Sequence, residues 1–282
     1  MNKVLHSTEL ADDSGRPMHR FMVDTHAHFH ACYDVAEYIS AAVANARQTA
    51  DAVPCLMLAD FGGQNSIDLI GERLASAKSE FTLHPLTGEA ATVKIEEQLV
   101  AVLIRGQQVK SLERLEVLVF GASGYLEDDQ PFTDTLVEVS THGKLGVVPW
   151  GFGKWSGGRR RLIRHAVTRV LANSEVQCVI AIGDNACRPA MCGRSGVVRN
   201  TIACSLRVLP GSDPLPIRGD GSRICSLGML VSVPCTDRDA TIPAQVLRAV
   251  TSDEVVTVGR HVSFGRFMHQ QYNIRCQGAS AS

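Results

Sequence analysis

Two rhythms of apolar and polar positions alternate along this chain. Phe21-Met22-Val23 is a short apolar run that breaks at Asp24-Thr25-His26-Ala27-His28. Residues 34–50 then carry apolar positions at helical spacing among many alanines, so a strand is predicted to lead into a helix. The pair repeats at once: Pro54 opens an apolar run over 55–59, Asp60 and Gly62-Gly63 close it, and 66–78 is a second amphipathic stretch. Strand, helix, strand, helix with short joins is the pattern of parallel βα units. Between about 80 and 120 the apolar runs at 99–104 and 115–120 come without a helix-length segment between them, which predicts a small β meander. From 133 the first rhythm returns, with helices predicted over 133–143, 159–172 and 194–205 and strands over 145–149, 176–182 and 207–209. The last 45 residues read as helices at 242–250 and 260–271.

Composition narrows the function classes. Lys+Arg 28 against Asp+Glu 29 gives a net charge of −1, which argues against a nucleic-acid coat or a polybasic membrane anchor. Hydrophobic residues at 45% and charged residues at 20% describe a globular core. Aromatics at 5% leave that core mostly aliphatic, as in buried parallel strands. No apolar run reaches the roughly 18 residues that a membrane-spanning helix needs. Nine cysteines are scattered without a C-x-x-C pair, so reduced, buried thiols of a cytoplasmic protein are expected. Residues 1–20 are polar and of mixed charge, without the basic start and apolar middle of a secretory signal, and read as a flexible tail.

The chemically useful residues fall at the predicted strand ends: Asp24, His26 and His28, then Asp60, Lys154, Asp184, Asn185, Arg188 and Asp213. In parallel α/β folds this is where ligands bind. Alternate residues on an extended strand end point to one side, so His26 and His28 can converge on one ion, and imidazole ligates zinc, iron and manganese. Asp213 after a late strand can join them and accept a proton from activated water; Asp60 is a further candidate ligand. The glycine-rich stretch 151–158 runs into Arg159-Arg160-Arg161, so Lys154 and the following helix start can hold an anion. Asp184, Asn185 and Arg188 are candidate substrate contacts, with Arg188 a bidentate partner for carboxylate or phosphate.

These residues resemble the ordered motifs of the PHP (polymerase and histidinol phosphatase) family: Val23 to His28, Leu58-Ala59-Asp60, Gly106-Gln107, then Gly211-Ser212-Asp213. The resemblance covers most of 20–216 and implies a distorted (β/α)7-8, TIM-like α/β barrel with a metal centre that hydrolyses phosphate esters. The barrel would span 21–235, with the meander inserted at about 80–120 and a C-terminal helical segment, 236–277, packed on it. Several family ligands are replaced. Phe61 stands where the second motif has His, Gln107 where a carboxylate is usual, Trp150 in place of a His-Pro, and Pro214 follows Asp213 where His is expected. The implied centre is therefore reduced to one zinc, manganese or iron ion on His26, His28, Asp213 and Asp60. Asp213, Lys154 and Arg188 would act on a small anionic substrate. The alternative is a barrel that has lost catalysis and binds an anion or a partner.

Overall fold

The computed structural model describes residues 10–11, 14–150, 155, 158–173, 178–190, 206–236, 238–252 and 254–279. Along the chain come β1 (Leu10–Ala11), β2 (Pro17–Ala27), α1 (Val35–Ala50), β3 (Val53–Asp60) and α2 (Ser66–Ser76). The meander follows as β4 (Phe81–Thr87), β5 (Ala90–Ile95), β6 (Gln98–Lys110) and β7 (Glu116–Phe120). Next are α3 (Phe132–His142), β8 (Leu145–Trp150), α4 (Gly158–Leu171), β9 (Val179–Asn185) and β10 (Arg207–Gly211). The last elements are β11 (Leu227–Pro234), α5 (Ile242–Ser252), β12 (Val256–Gly259) and α6 (Phe264–Ala279).

Among the described residues the strands form one sheet whose main path is β10-β9-β8-β7-β6-β3-β2-β11-β12. The parallel pairs are β10 with β9, β9 with β8, β6 with β3 and β3 with β2, so all but β7 and β11 on this path run the same way. The result is a mixed α/β fold with a nearly closed, barrel-like sheet. The two flanks of the sheet meet at a seam between β2 and β10. There the Thr25 hydroxyl donates to the Pro210 carbonyl at 2.9 Å, and the Asp213 N–H donates to the His26 carbonyl at 2.8 Å. Gly211 makes this approach feasible, since a Cβ there would lie 2.5 Å from His26 Cβ.

Period-two alternation sends one set of side chains inward: Phe21 and Val23, Cys55 and Met57, Val102 and Ile104, Leu118 and Phe120, Val147, Leu209 and Met229 pack into a single buried cluster. Burial of each large member contributes about 1.5–3 kcal/mol. Helix α5 adds Ile242, Val246 and Val250 to this interior and sits against Lys144 and Val179, at the starts of β8 and β9. The opposite set faces helices: Leu56, Leu58 and Leu103 meet Tyr38, Ile39 and Ile70 of α1 and α2, while Val117, Val148 and Ile180 meet Leu136 and Ile163 of α3 and α4. The helices are cut by local signals. Asp34 caps α1 by accepting from the Glu37 N–H at 2.9 Å, and Asn65 caps α2 through the N–H groups of Ile67 and Asp68. Caps of this type are worth about 1 kcal/mol each.

The helices and strands predicted up to residue 171 agree with these elements to within a few residues, and the meander is an antiparallel ladder from β4 to β7. It both belongs to the barrel and extends from it. The long β6 pairs with β3, while β5 and then β7 take its other edge. The helix expected at 194–205 lies outside the described residues. Three expectations are corrected. β2 begins at Pro17, inside the stretch read as a tail, because Met18, His19 and Arg20 pair with Pro234, Val233 and Ser232 of a strand some 200 residues away. The C-terminal segment is not only helical, because β12 joins the sheet beside β11. Helix α6 starts at Phe264 rather than 260, because Val262 is held by an isolated bridge to Pro189.

Candidate metal centre

The end of β2 is irregular, with its register against β3 shifting between Asp24 and Ala27. A shift of this kind re-aims the side chains that follow it. Asp24 is fully buried and turns its carboxylate away from any ion. It accepts from the N–H groups of His26 (3.2 Å), Ser212 (2.8 Å) and Cys225 (3.0 Å) and from the Ser212 hydroxyl. Burial pushes its pKa up, and those four donors oppose the shift. Asp24 thus fastens β2 to the segment after β10 and to the chain entering β11, which sets the backbone from which His26, His28 and Asp213 project.

Those three side chains converge. His26 Nε2 and His28 Nε2 lie 3.0 Å apart, and Asp213 Oδ1 lies 3.7 and 3.6 Å from them. Ligands bound to zinc at ~2.0–2.1 Å in a tetrahedron are roughly 3.3 Å apart, a value these separations bracket. The imidazoles are buried and the carboxylate is partly open, its side chain 22% exposed. Asp213 adopts φ +45°, a left-handed conformation that Asp tolerates better than most residues, and the backbone bond to His26 holds it there.

The hydrogen-bond network fixes which atoms face the centre. The Asn185 Nδ2 donates to Asp213 Oδ2 at 2.7 Å, which turns the Asn185 Oδ1 toward His26 Nδ1 at 3.1 Å. An amide oxygen only accepts, so His26 carries its proton on Nδ1 and presents a lone pair on Nε2. The His28 ring in turn bonds to the backbone of Ala59. Burial first, and then the neighbouring His26 ring, pulls the His28 pKa down to about 3, so this imidazole is neutral at physiological pH. Two imidazole nitrogens and a carboxylate oxygen thus meet where mutual repulsion is relieved by a cation. The triad is the one potential metal-binding group of three such side chains among the described residues.

The other sequence candidates divide. Asp60 is not in the triad: its Oδ2 accepts from the Ser66 N–H and from Arg105 Nε, both at 3.1 Å, so it serves an ion pair and the start of α2. Asn185 reaches the centre, but as a brace for two ligands rather than as an open substrate contact. Asp184 and Arg188 are spent on each other through two bonds of 3.0 Å, with His261 completing the cluster. Burial would raise the Asp184 pKa, but His261 and Arg188 hold it down to about 2. Arg188 is 7% exposed, which is too buried for the substrate contact expected of it. Lys154 lies outside the described residues. Gln107 neither ligates nor catalyses: its amide donates to the Leu126 carbonyl and accepts from the Leu126 N–H at 3.0 Å. The Cys187 thiol near Asp213 is pushed up to about 12 chiefly by burial.

Arg105 escaped the sequence reading, and Phe61 entered it only as the residue standing where the resembled family has His. The Phe61 ring lies tilted, 5.3 Å from His28 and 5.9 Å from His30, and forms a wall beside the triad. Arg105 lies beside Asp60, next to the same wall. The β3–β6 register, which sets Ala59 opposite Gly106, is what brings it there, and no local pattern announces that register.

A nearly closed α/β sheet with a His-His-Asp group gathered at the ends of β2 and β10 defines the class: a barrel-like α/β protein with one possible metal-binding triad among the described residues. No family model matches the chain, and no curated protein matches it. Among solved structures it is similar to the crystal structure of PsfC from Pseudomonas syringae PB-5123. The TM-score is 0.50 at 14% identity, over 93% of this chain and 99% of that one. At that identity the likeness concerns the fold alone. Among the described residues, no helix is long and apolar enough to cross a membrane.

Proposed function

We propose that this protein is a metal-dependent hydrolase of the phosphoesterase kind, using one divalent ion held by His26, His28 and Asp213. The observation that carries the reading is the meeting of three acceptor atoms, 3.0–3.7 Å apart, with Asn185 fixing the tautomer of one and the position of another. Zinc, manganese and iron all accept such a donor set. On this reading the sheet is the distorted (β/α)7-type barrel of a PHP-like enzyme, in which β7 and β11 interrupt the parallel alternation. The substrate is a small anionic ester of the cytoplasm. A bound divalent ion supplies Lewis acidity and brings the ionisation of water toward neutral pH. The chain's own residues do the rest. His26 and His28 would hold the ion through their Nε2 atoms. Asp213 accepts a proton through its carboxylate, which the Asn185 amide holds in place at Oδ2. Phe61 shields one side from water.

A second reading, an inactive barrel that binds an anion or a partner, draws on Phe61 and Gln107, which occupy ligand positions of the resembled family. Metal analysis by mass spectrometry separates the two. About one zinc, manganese or iron per chain, lost in both His26→Ala and Asp213→Ala together with turnover of an aryl phosphate, is the expected result. Protein that holds no metal even after metal is added back would overturn the hydrolase reading.

A further inference from the structure

Beside Asp60 lies a cavity of about 240 Å³, lined by Asp60, Gln64, Glu89, Arg105, Gly124 and Tyr125 among others. Its one cationic lining side chain is Arg105, which is oriented from behind. Nε donates to Asp60 Oδ2 and Nη2 to the Gln64 carbonyl, both at 3.1 Å. These two contacts consume one edge of the guanidinium. Three of its five N–H groups, on Nη1 and Nη2, have no partner among the described residues and form the end-on edge. The side chain is 28% exposed, so this edge is reachable. The neighbouring Tyr125 is 58% exposed and supplies a phenol. Glu89, the other carboxylate of the lining, is exposed to solvent.

We propose that this cavity is an oxoanion subsite in which the end-on edge of Arg105 holds a carboxylate or phosphate group bidentately. The chemistry follows from planar, forked geometry: two parallel N–H donors match two oxygens of an oxoanion, and an arginine already held by Asp60 and Gln64 loses little conformational freedom on binding. The Asp60–Arg105 pair has a clear purpose on this view. It turns a position the resembled family would use for metal ligation into a support for a cation. The site is next to the triad through the run Ala59-Asp60-Phe61, whose first member bonds His28 and whose last member stacks on it. Resting on the hydrolase reading for its other half, the inference sets the substrate class: an ester whose leaving portion carries a second oxoanion.

The test is equilibrium binding of inorganic phosphate and of malonate, by titration calorimetry, to the full chain after chelator treatment. Wild type, His26→Ala, Arg105→Lys and the double variant Asp60→Asn/Arg105→Gln are compared. The double variant removes both charges, so no buried carboxylate is left unpaired, and thermal unfolding checks that it folds. One saturable site is expected in wild type and in His26→Ala, weakened tenfold or more in both Arg105 variants. The tighter of the two probes identifies the oxoanion. Absence of saturable binding to wild type, or binding that is lost in His26→Ala and kept in the Arg105 variants, overturns the subsite. Metal content is measured separately, so failure of the metal centre is not confused with failure of this cavity.

Discussion

Replacing Asn185 by Leu isolates what organises the triad without touching a ligand. Its side chain makes two bonds there, accepting from His26 Nδ1 at 3.1 Å and donating to Asp213 Oδ2 at 2.7 Å. The first sets the imidazole tautomer. The second, to a charged acceptor, belongs to the stronger class at about 1.5–3 kcal/mol, against roughly 0.5–1.5 for a neutral pair. Leu fills a similar volume but offers neither bond, so His26 becomes free to carry its proton on the nitrogen that must ligate. Losing the support of both ligands corresponds to about 1.4–2.8 kcal/mol, a 10- to 100-fold weaker metal affinity, the usual range for such supporting residues. The assay is competition for zinc against a chromophoric chelator, with circular dichroism to confirm the fold. Asn185→Asp is the control. It keeps the acceptor for His26 but sets a carboxylate against Asp213, so it should fold less stably without metal and regain stability when zinc is added. Wild-type zinc affinity in folded Asn185→Leu would refute the argument, since the tautomer and the carboxylate would then be set by something else.

Two further outcomes follow from buried contacts. Asp184→Asn removes the carboxylate that Arg188 grips in a buried setting and should cost about 3–5 kcal/mol, read as a fall in the midpoint of denaturant unfolding. The same pair predicts a pH response. The Asp184 pKa is held down to about 2 from 3.8, so its contribution is complete above the unfolded-state value and drains away as pH falls from about 4 through 2, a limb that the Asn variant should lack. Gly211→Ala would push a Cβ to 2.5 Å from His26 Cβ and 2.6 Å from its backbone nitrogen. It should destabilise by about 1–3 kcal/mol and abolish metal uptake together, and retained stoichiometric metal would show that the seam tolerates opening.

The parts of the fold that periodicity could find were those whose partners lie close in sequence. Helices α1 to α4 and the strands between them carry their own apolar stripes, caps and glycines, so local pattern sufficed. Strands β11 and β12 and the opening of β2 were missed for the converse reason. Leu227 to Pro234 acquires its meaning from Met18 to Val23 across the sheet, and that pairing leaves no local trace. The site divides the same way. His26 and His28 were legible because two residues of spacing on a strand end suffices to bring rings together, and Asp213 because it closes an apolar run. Arg188 looked like a free cation in sequence, yet Asp184 four residues earlier claims it, a neighbour visible in the chain but silent about which face each occupies. Arg105 went unnoticed because its importance depends on the parallel register of β3 and β6.

The positions at which the resembled family carries ligands are engaged in contacts of their own in this chain. Gln107 clamps the loop at Leu126 through one donor and one acceptor. A carboxylate at that position would keep only the acceptor and face the Leu126 carbonyl with like partial charge. Asp60 already gives its Oδ2 to Arg105 and to the Ser66 N–H, so a metal on that carboxylate would weaken its hold on a partly buried guanidinium. Phe61, packed on the rings of His28 and His30, contributes an apolar surface where a third imidazole would have brought another lone pair. Each of these side chains makes a contact that the surrounding structure uses. A second ion is therefore disfavoured by the packing of the neighbouring groups as well as by the missing donors. What the wall gains is an aromatic face and an oriented guanidinium on the side of the triad toward β6, and in the proposed hydrolase these would select a substrate by its leaving portion rather than by its scissile group.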